Sequence, residues 1–213
     1  LIIEKGHSIG ILEKDEKVTV ERAFEKEPEA VKEHYIEENL PVATPVFAFG
    51  YKENIEGDCC TLEEEIAMSL ILDIAAGQIS SLYKELLDEG LINGTFSTEF
   101  FNGFNYSAPI FSGESTDPEK VSERINERLQ QLKKTGVTSD EFETVRKKQY
   151  GKTVRAFSDI DTVANGLVIS HFEDEELFSE FEVIKNLKLD FVNELLKKSF
   201  NEDMTVLSVI KSK

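Results

Sequence analysis

Leu62, Ile66, Leu70 and Ile74 recur every fourth residue, which places them on one side of a helix. Just ahead of them, Thr61 and Glu64 stand three apart. At that spacing a hydroxyl and a carboxylate can each satisfy the other residue's free backbone N–H, so a helix is expected from residue 61 until just before Gly77. Leu82 and Leu86 mark a shorter amphipathic helix that stops at Gly90. Asp117-Pro118 supplies a cap and a pre-set first turn to the stripe Val121, Ile125, Leu129 and Leu132, which Gly136 ends. Thr138 and Glu141 form a second capping box, opening a helix through Phe142, Val145 and Val154 with a break near Ser158-Asp159. Gly151 within it costs ~1 kcal/mol against Ala, so packing must hold that turn. A further helix is expected over Asp161 to Phe172, and another pair between Glu176 and Phe200.

Period-two and compact apolar runs mark the strands. Val18, Val20 and Phe24 alternate; Val46-Phe47-Ala48-Phe49 is a buried run bounded by Pro45 and Gly50. Aromatic-rich runs flank Gly103, and Met204 to Ile210 closes the pattern. Strands are therefore expected at about 18–24, 44–51, 94–102, 104–114 and 204–210, with a charged connection between the first two. Pro109 lacks a ladder donor and marks an edge or a bulge. Helices in blocks between antiparallel strands give an α+β class: a layered sandwich, mostly antiparallel, with helices on one face. Residues 1–17 read as the tail of a helix plus a linker from an upstream unit, and 18–213 as one domain.

Composition narrows the partners. Of 213 residues, 40% are apolar and 31% charged, enough for both a core and a soluble surface. The net charge of −18 leaves no basic stripe to displace counterions from phosphates, which argues against nucleic acid. No apolar run approaches the ~18–20 residues of a membrane span, and the N-terminus lacks the pattern of a signal peptide. Cys59 and Cys60 are adjacent, so a disulfide between them would be strained; two reduced thiols point to a cytoplasmic location.

Chemistry-bearing motifs are sparse. The histidines are His7, His34 and His171. The nearest approach to a zinc-peptidase H-x-x-E-H is His34-Tyr35-Ile36-Glu37-Glu38, with Glu38 where a second imidazole is needed and no helical face to align ligands. A self-contained metalloenzyme on His34 and Glu37 is thus a remote reading. There is no phosphate loop, dinucleotide fingerprint or nucleophile elbow. Phe96, Phe100, Phe101, Phe104, Tyr106 and Phe111 read as hairpin packing, since no Arg or Lys is interleaved to make a base-stacking surface. No catalytic residue and no metal ligand is assigned.

The wording from Gly77 to Val121, with Ser80-Ser81-Leu82-Tyr83, Gly90-Leu91 and Asp117-Pro118-Glu119, resembles the non-catalytic C-terminal repeat of the pitrilysin/insulinase-like zinc peptidases. There the sentence runs S-S-x-L-F/Y-x-x-L-R-E-x-x-G-L-A-Y, then two strands, then D-P-E-x-V. Fainter echoes at 138–147 and 183–193 extend the resemblance to about 18–213. It implies one half of a clamshell whose other, upstream half carries zinc and H-x-x-E-H and hydrolyses peptide bonds. The family's non-catalytic half usually supplies an Arg and a Tyr that hold the substrate. Those positions fall on Leu87 and Asn93 here, one residue closer together than usual. The resemblance therefore implies a substrate-enclosing half, with Ser81, Tyr83 and Asn93 as candidate peptide contacts and no cofactor of its own. The alternative is an inactive scaffold or assembly subunit that keeps the fold. Partners implied are a zinc-bearing repeat, in the same chain or a sister subunit, and a peptide.

Overall fold

The computed structural model describes residues 28–53, 59–173 and 176–213. The expected helix tail and linker at 1–17 and the strand at 18–24 lie outside these residues, as does His7. In chain order the elements are β1 (Tyr35–Leu40), β2 (Val46–Tyr51), α1 (Leu62–Ala76), α2 (Ser81–Asp88), β3 (Ser97–Gly103) and β4 (Tyr106–Glu114). Then come α3 (Pro118–Thr135), α4 (Ser139–Ala156), α5 (Ile160–Glu173), α6 (Ser179–Asn186), α7 (Leu189–Lys198), a short 3₁₀ turn and β5 (Thr205–Ser212).

The five strands form one sheet in the order β1-β5-β2-β4-β3; β1 runs parallel to β5 and every other pair is antiparallel. This is the α+β layered class expected from the sequence. Phe47, Phe49 and Tyr51 of β2, Phe111 of β4, and Leu207 and Val209 of β5 point to the helices and are buried there. Ala48, Gly50, Ile110 and Ile210 alternate with them and stay half-exposed on the other face. Against the covered face lies α1, buried nearly all round from Ile66 to Ala76, which is why its stripe is broader than one row of a helix. It packs on β3 and on α2, α3, α4, α6 and α7.

Both predicted capping boxes form. The Thr61 hydroxyl accepts from Glu64 N–H at 3.2 Å, and the Thr138 hydroxyl from Glu141 N–H at 3.3 Å. Two expectations need correction. The stretch between the first two predicted strands contains a strand of its own, β1, which is an edge of the sheet among the described residues. All six of its residues are exposed, so it carries no apolar alternation to read. Pro109, in turn, lies in an interior strand. Regular pairing of β4 with β2 stops at Gly50↔Ile110 and resumes at the bridge Glu53↔Ser107, and Pro109 falls in the gap, where it has no N–H to give.

Candidate peptide-binding edge

The far edge of the sheet is β3, and its register decides which backbone groups are free. The Ser107 carbonyl accepts from Glu53 N–H at 2.9 Å, so odd-numbered residues of β4 turn their main-chain groups to β2 and even-numbered ones to β3. Pairing of Ser97, Glu99 and Phe101 with Ser112, Ile110 and Ala108 uses those groups. The N–H and C=O of Thr98, Phe100 and Asn102 are left pointing away from the sheet, without a backbone partner among the described residues. Among the described residues they form an open template for an added strand.

Two cavities border this edge on the helix side. Thr98 lines one of about 170 Å³ with Tyr83, Phe96 and the ion pair of Asp73 with Lys148, whose atoms lie 2.9 Å apart. Phe100 lines the other, about 410 Å³, with Glu53, Cys60, Met68, Ser107 and Lys198. Thr98 and Phe100 are two apart, so their side chains share a face at ~6.8 Å spacing. A peptide strand laid along β3 would direct alternate side chains toward the two cavities.

Electrostatics differ between them. Burial pushes the Glu53 carboxyl up to about 7, partly offset by the Phe200 N–H and by Lys133. Its Oε1 accepts from Phe200 N–H at 2.7 Å. Phe200 has φ +60, a left-handed conformation unusual for an aromatic residue. Both sides of its peptide are held: Glu53 takes the N–H, while Gln130 Nε2 at 3.2 Å and Lys133 Nζ at 3.3 Å donate to its carbonyl. Its buried ring stands edge-on to Tyr51, centroids 5.2 Å apart. Burial also raises the Cys60 thiol, against a lowering hydrogen bond from Ser107. Cys59 and Cys60 are both free thiols.

The residues named from sequence are dispersed around this edge. Tyr83 is buried and walls the smaller cavity, its ring 5.9 Å from Phe96. Ser81 is exposed at the first residue of α2, beside a separate cavity of about 240 Å³; the cap itself is Ser80, whose hydroxyl accepts from Tyr83 N–H at 3.1 Å. Asn93 shapes the turn into β3. Its Nδ2 donates to Glu114 at 2.7 Å, and its Oδ1 accepts from Thr95 N–H at 2.9 Å and Thr95 Oγ1 at 2.7 Å. Leu87 is exposed on α2. Sequence reasoning missed the free groups of Thr98, Phe100 and Asn102 and the buried Glu53, because both depend on the pairing register.

Among the described residues, the donors do not converge on a zinc site. His34 Nδ1 lies 2.9 Å from the Thr205 carbonyl, and Glu37 is 2.9 Å from Lys211 Nζ, so the pair is committed to fastening β1. His171 stands exposed on α5. Among the described residues no three His, Cys, Asp or Glu converge as a metal would require.

A family model described as the peptidase M16 inactive domain matches residues 9–149. A curated protein of Bacillus subtilis (strain 168), described as the uncharacterized zinc protease YmfH, is 26% identical over 194 residues, covering 90% of this chain and 45% of that protein. The crystal structure of an M16-like peptidase from Alicyclobacillus acidocaldarius superposes with a TM-score of 0.88 at 24% identity, over 100% of this chain and 51% of that one. The peptidase M16 inactive domain from Pseudomonas fluorescens gives a TM-score of 0.72 at 14% identity, over 92% of this chain and 47% of that one. These structures share the fold. The chain spans about half the length of each of these three proteins.

Proposed function

Because the chain belongs to the peptidase M16 inactive-domain family, we propose that it is the non-catalytic half of a zinc peptidase. It closes a chamber with a zinc-bearing half and holds the peptide by strand addition along β3. The observation that carries the peptide reading is the open edge: outward backbone groups at Thr98, Phe100 and Asn102 set beside two cavities at alternate-residue spacing. Main-chain pairing would supply affinity without demanding one peptide sequence, and the cavities would select side chains. Tyr83 acts in this reading as cavity wall, Ser81 as a contact at the periphery, and Asn93 through the turn that presents β3. Hydrolysis belongs to the zinc-bearing half, and the two free thiols favour a reducing, cytoplasmic setting.

A second reading rests on Leu87 and Asn93, which stand where the family's substrate-holding Arg and Tyr are expected. Their loss favours an assembly subunit that has given up proteolysis.

The test uses the parent protein and fluorescent extended peptides N-methylated at one backbone position at a time. Methylation at residues of one parity should remove an N–H paired with β3, weakening binding by about fivefold for ~1 kcal/mol. Methylation at the other parity should leave affinity unchanged. Tolerance independent of parity would sink strand addition. Binding with no zinc-dependent cleavage would leave the edge intact and favour the assembly subunit.

A further inference from the structure

An ordinary surface helix has one apolar face, turned to its own core. α5 has two. Val163, Gly166 and Ser170 form the inward side and are partly covered. A Cβ at Gly166 would come within 2.9 Å of Leu177 Cδ1, so the helix lies close against the chain that follows it. At its root the Phe157 ring lies 5.2 Å from Phe178 and 5.0 Å from Phe181, joining the end of α4 to the start of α6. On the outward side, Ile160, Ala164, Leu167, Val168 and Phe172 follow the spacing i, i+4, i+7, i+8, i+12 and make a continuous stripe. Its large members are strongly exposed: Ile160 85%, Leu167 54%, Val168 55% and Phe172 82%.

The composition of this stripe is selective. From Ile160 to Phe172 the helix has one acid, Asp161, and no Lys or Arg, in a chain that is 31% charged. A helix left to solvent would not need to exclude charge in this way. Four large apolar side chains, each more than half exposed along one stripe, mark an interaction site rather than scatter.

We infer that the outward stripe of α5 is a docking surface for the complementary half of the parent protein. The inference rests on the pairing of halves proposed above. It names the contact surface, which that proposal leaves open. The occupant is argued from length: relatives aligned over 90% and 100% of this chain are matched over only 45% and 51% of their own, so those proteins carry a further unit of similar size, and the parent of this chain would carry its counterpart. An apolar, nearly uncharged stripe would fit an equally apolar surface on that unit.

The test uses the parent protein carrying both halves, intact and after proteolytic nicking of their connection. Hydroxyl-radical labelling of Ile160, Leu167, Val168 and Phe172 in the intact protein should fall far below that of the same residues in urea. Nicked wild-type halves should co-elute on a sizing column. The L167D/V168D protein, with an unchanged circular dichroism spectrum because both residues are exposed, should come apart on nicking, each charge weakening association by at least ~30-fold. If nicked halves separate even in the wild type, the pairing itself is wrong and this inference falls with it. If halves of the variant remain together and the stripe labels freely, pairing stands and α5 is the wrong surface. If the substitution instead abolishes a dimer of the whole protein and leaves its halves together, a second copy is the occupant and the inference is overturned.

Discussion

Replacing Glu53 by Gln should change how stability varies with pH, in a predictable direction. The folded carboxyl titrates at about 7 against an ordinary value of 4.5, chiefly because it is buried. Below pH 4.5 the acid is neutral in both folded and unfolded chains and costs nothing. Between 4.5 and 7 the unfolded chain releases its proton while the folded one keeps it, so unfolding gains about 1.4 kcal/mol per pH unit. The loss of stability sums to roughly 3 kcal/mol and is constant above pH 7. Gln offers the same oxygen to the Phe200 N–H, which sits 2.7 Å from Glu53 Oε1, and never ionises. The variant should therefore match the wild type near pH 4.5 and exceed it by up to about 3 kcal/mol at pH 8, or roughly 6–12 °C in melting temperature. Glu37, Glu89, Glu119 and Glu141 are all held below the usual carboxylate range, and their contribution is lost as pH falls through those lowered values. They are common to both proteins and cancel in the difference. Urea unfolding followed by circular dichroism from pH 4.5 to 8 reads the effect directly. A wild-type–variant gap that stays constant across that range would mean that Glu53 ionises normally, and a gap in the opposite direction would refute the burial argument.

Gly113→Ala places a methyl group 2.8 Å from the Phe96 Cα and should destabilise by about 1–3 kcal/mol, read as a lower urea midpoint with unchanged slope. Asn93→Ala removes the acceptor for Thr95 N–H and the donor to Glu114, and should cost about 1–3 kcal/mol in the same assay. If Asn93 acts through the turn, restoring stability with an osmolyte should also restore peptide affinity; a persistent affinity loss would make it a direct contact.

The helices were legible because their signals are local. Thr61 with Glu64 and Thr138 with Glu141 announce their caps within four residues, and the stripes of α1 and α3 repeat at helical spacing whatever the rest of the chain does. β1 was not legible, since Tyr35–Leu40 is exposed throughout and owes its place to β5, which lies far along the chain and supplies its pairing. The stripe of α5 could be read as a helix, but periodicity says only that a face is apolar, not what covers it. For the candidate site, the departures at Leu87 and Asn93 stood in the sequence. Which residues of β3 turn their amides outward did not, because that is a property of the register with β4.

The sheet order has a consequence for how the protein is made. β5 is the last strand in the chain, yet it sits between β1 and β2, parallel to one and antiparallel to the other. Among the described strands, β1 therefore has none to lie against, and β2 has one flank bare, until residues 205–212 have emerged from the ribosome. Hairpin β3–β4 and the helices can assemble co-translationally around α1, but Leu207 and Val209 enter the core last. Such distant pairing is slow among folding steps, and it cannot begin until the last strand has emerged. The nascent chain thus spends that interval as an incomplete sheet with an apolar slot open, a natural client for a chaperone.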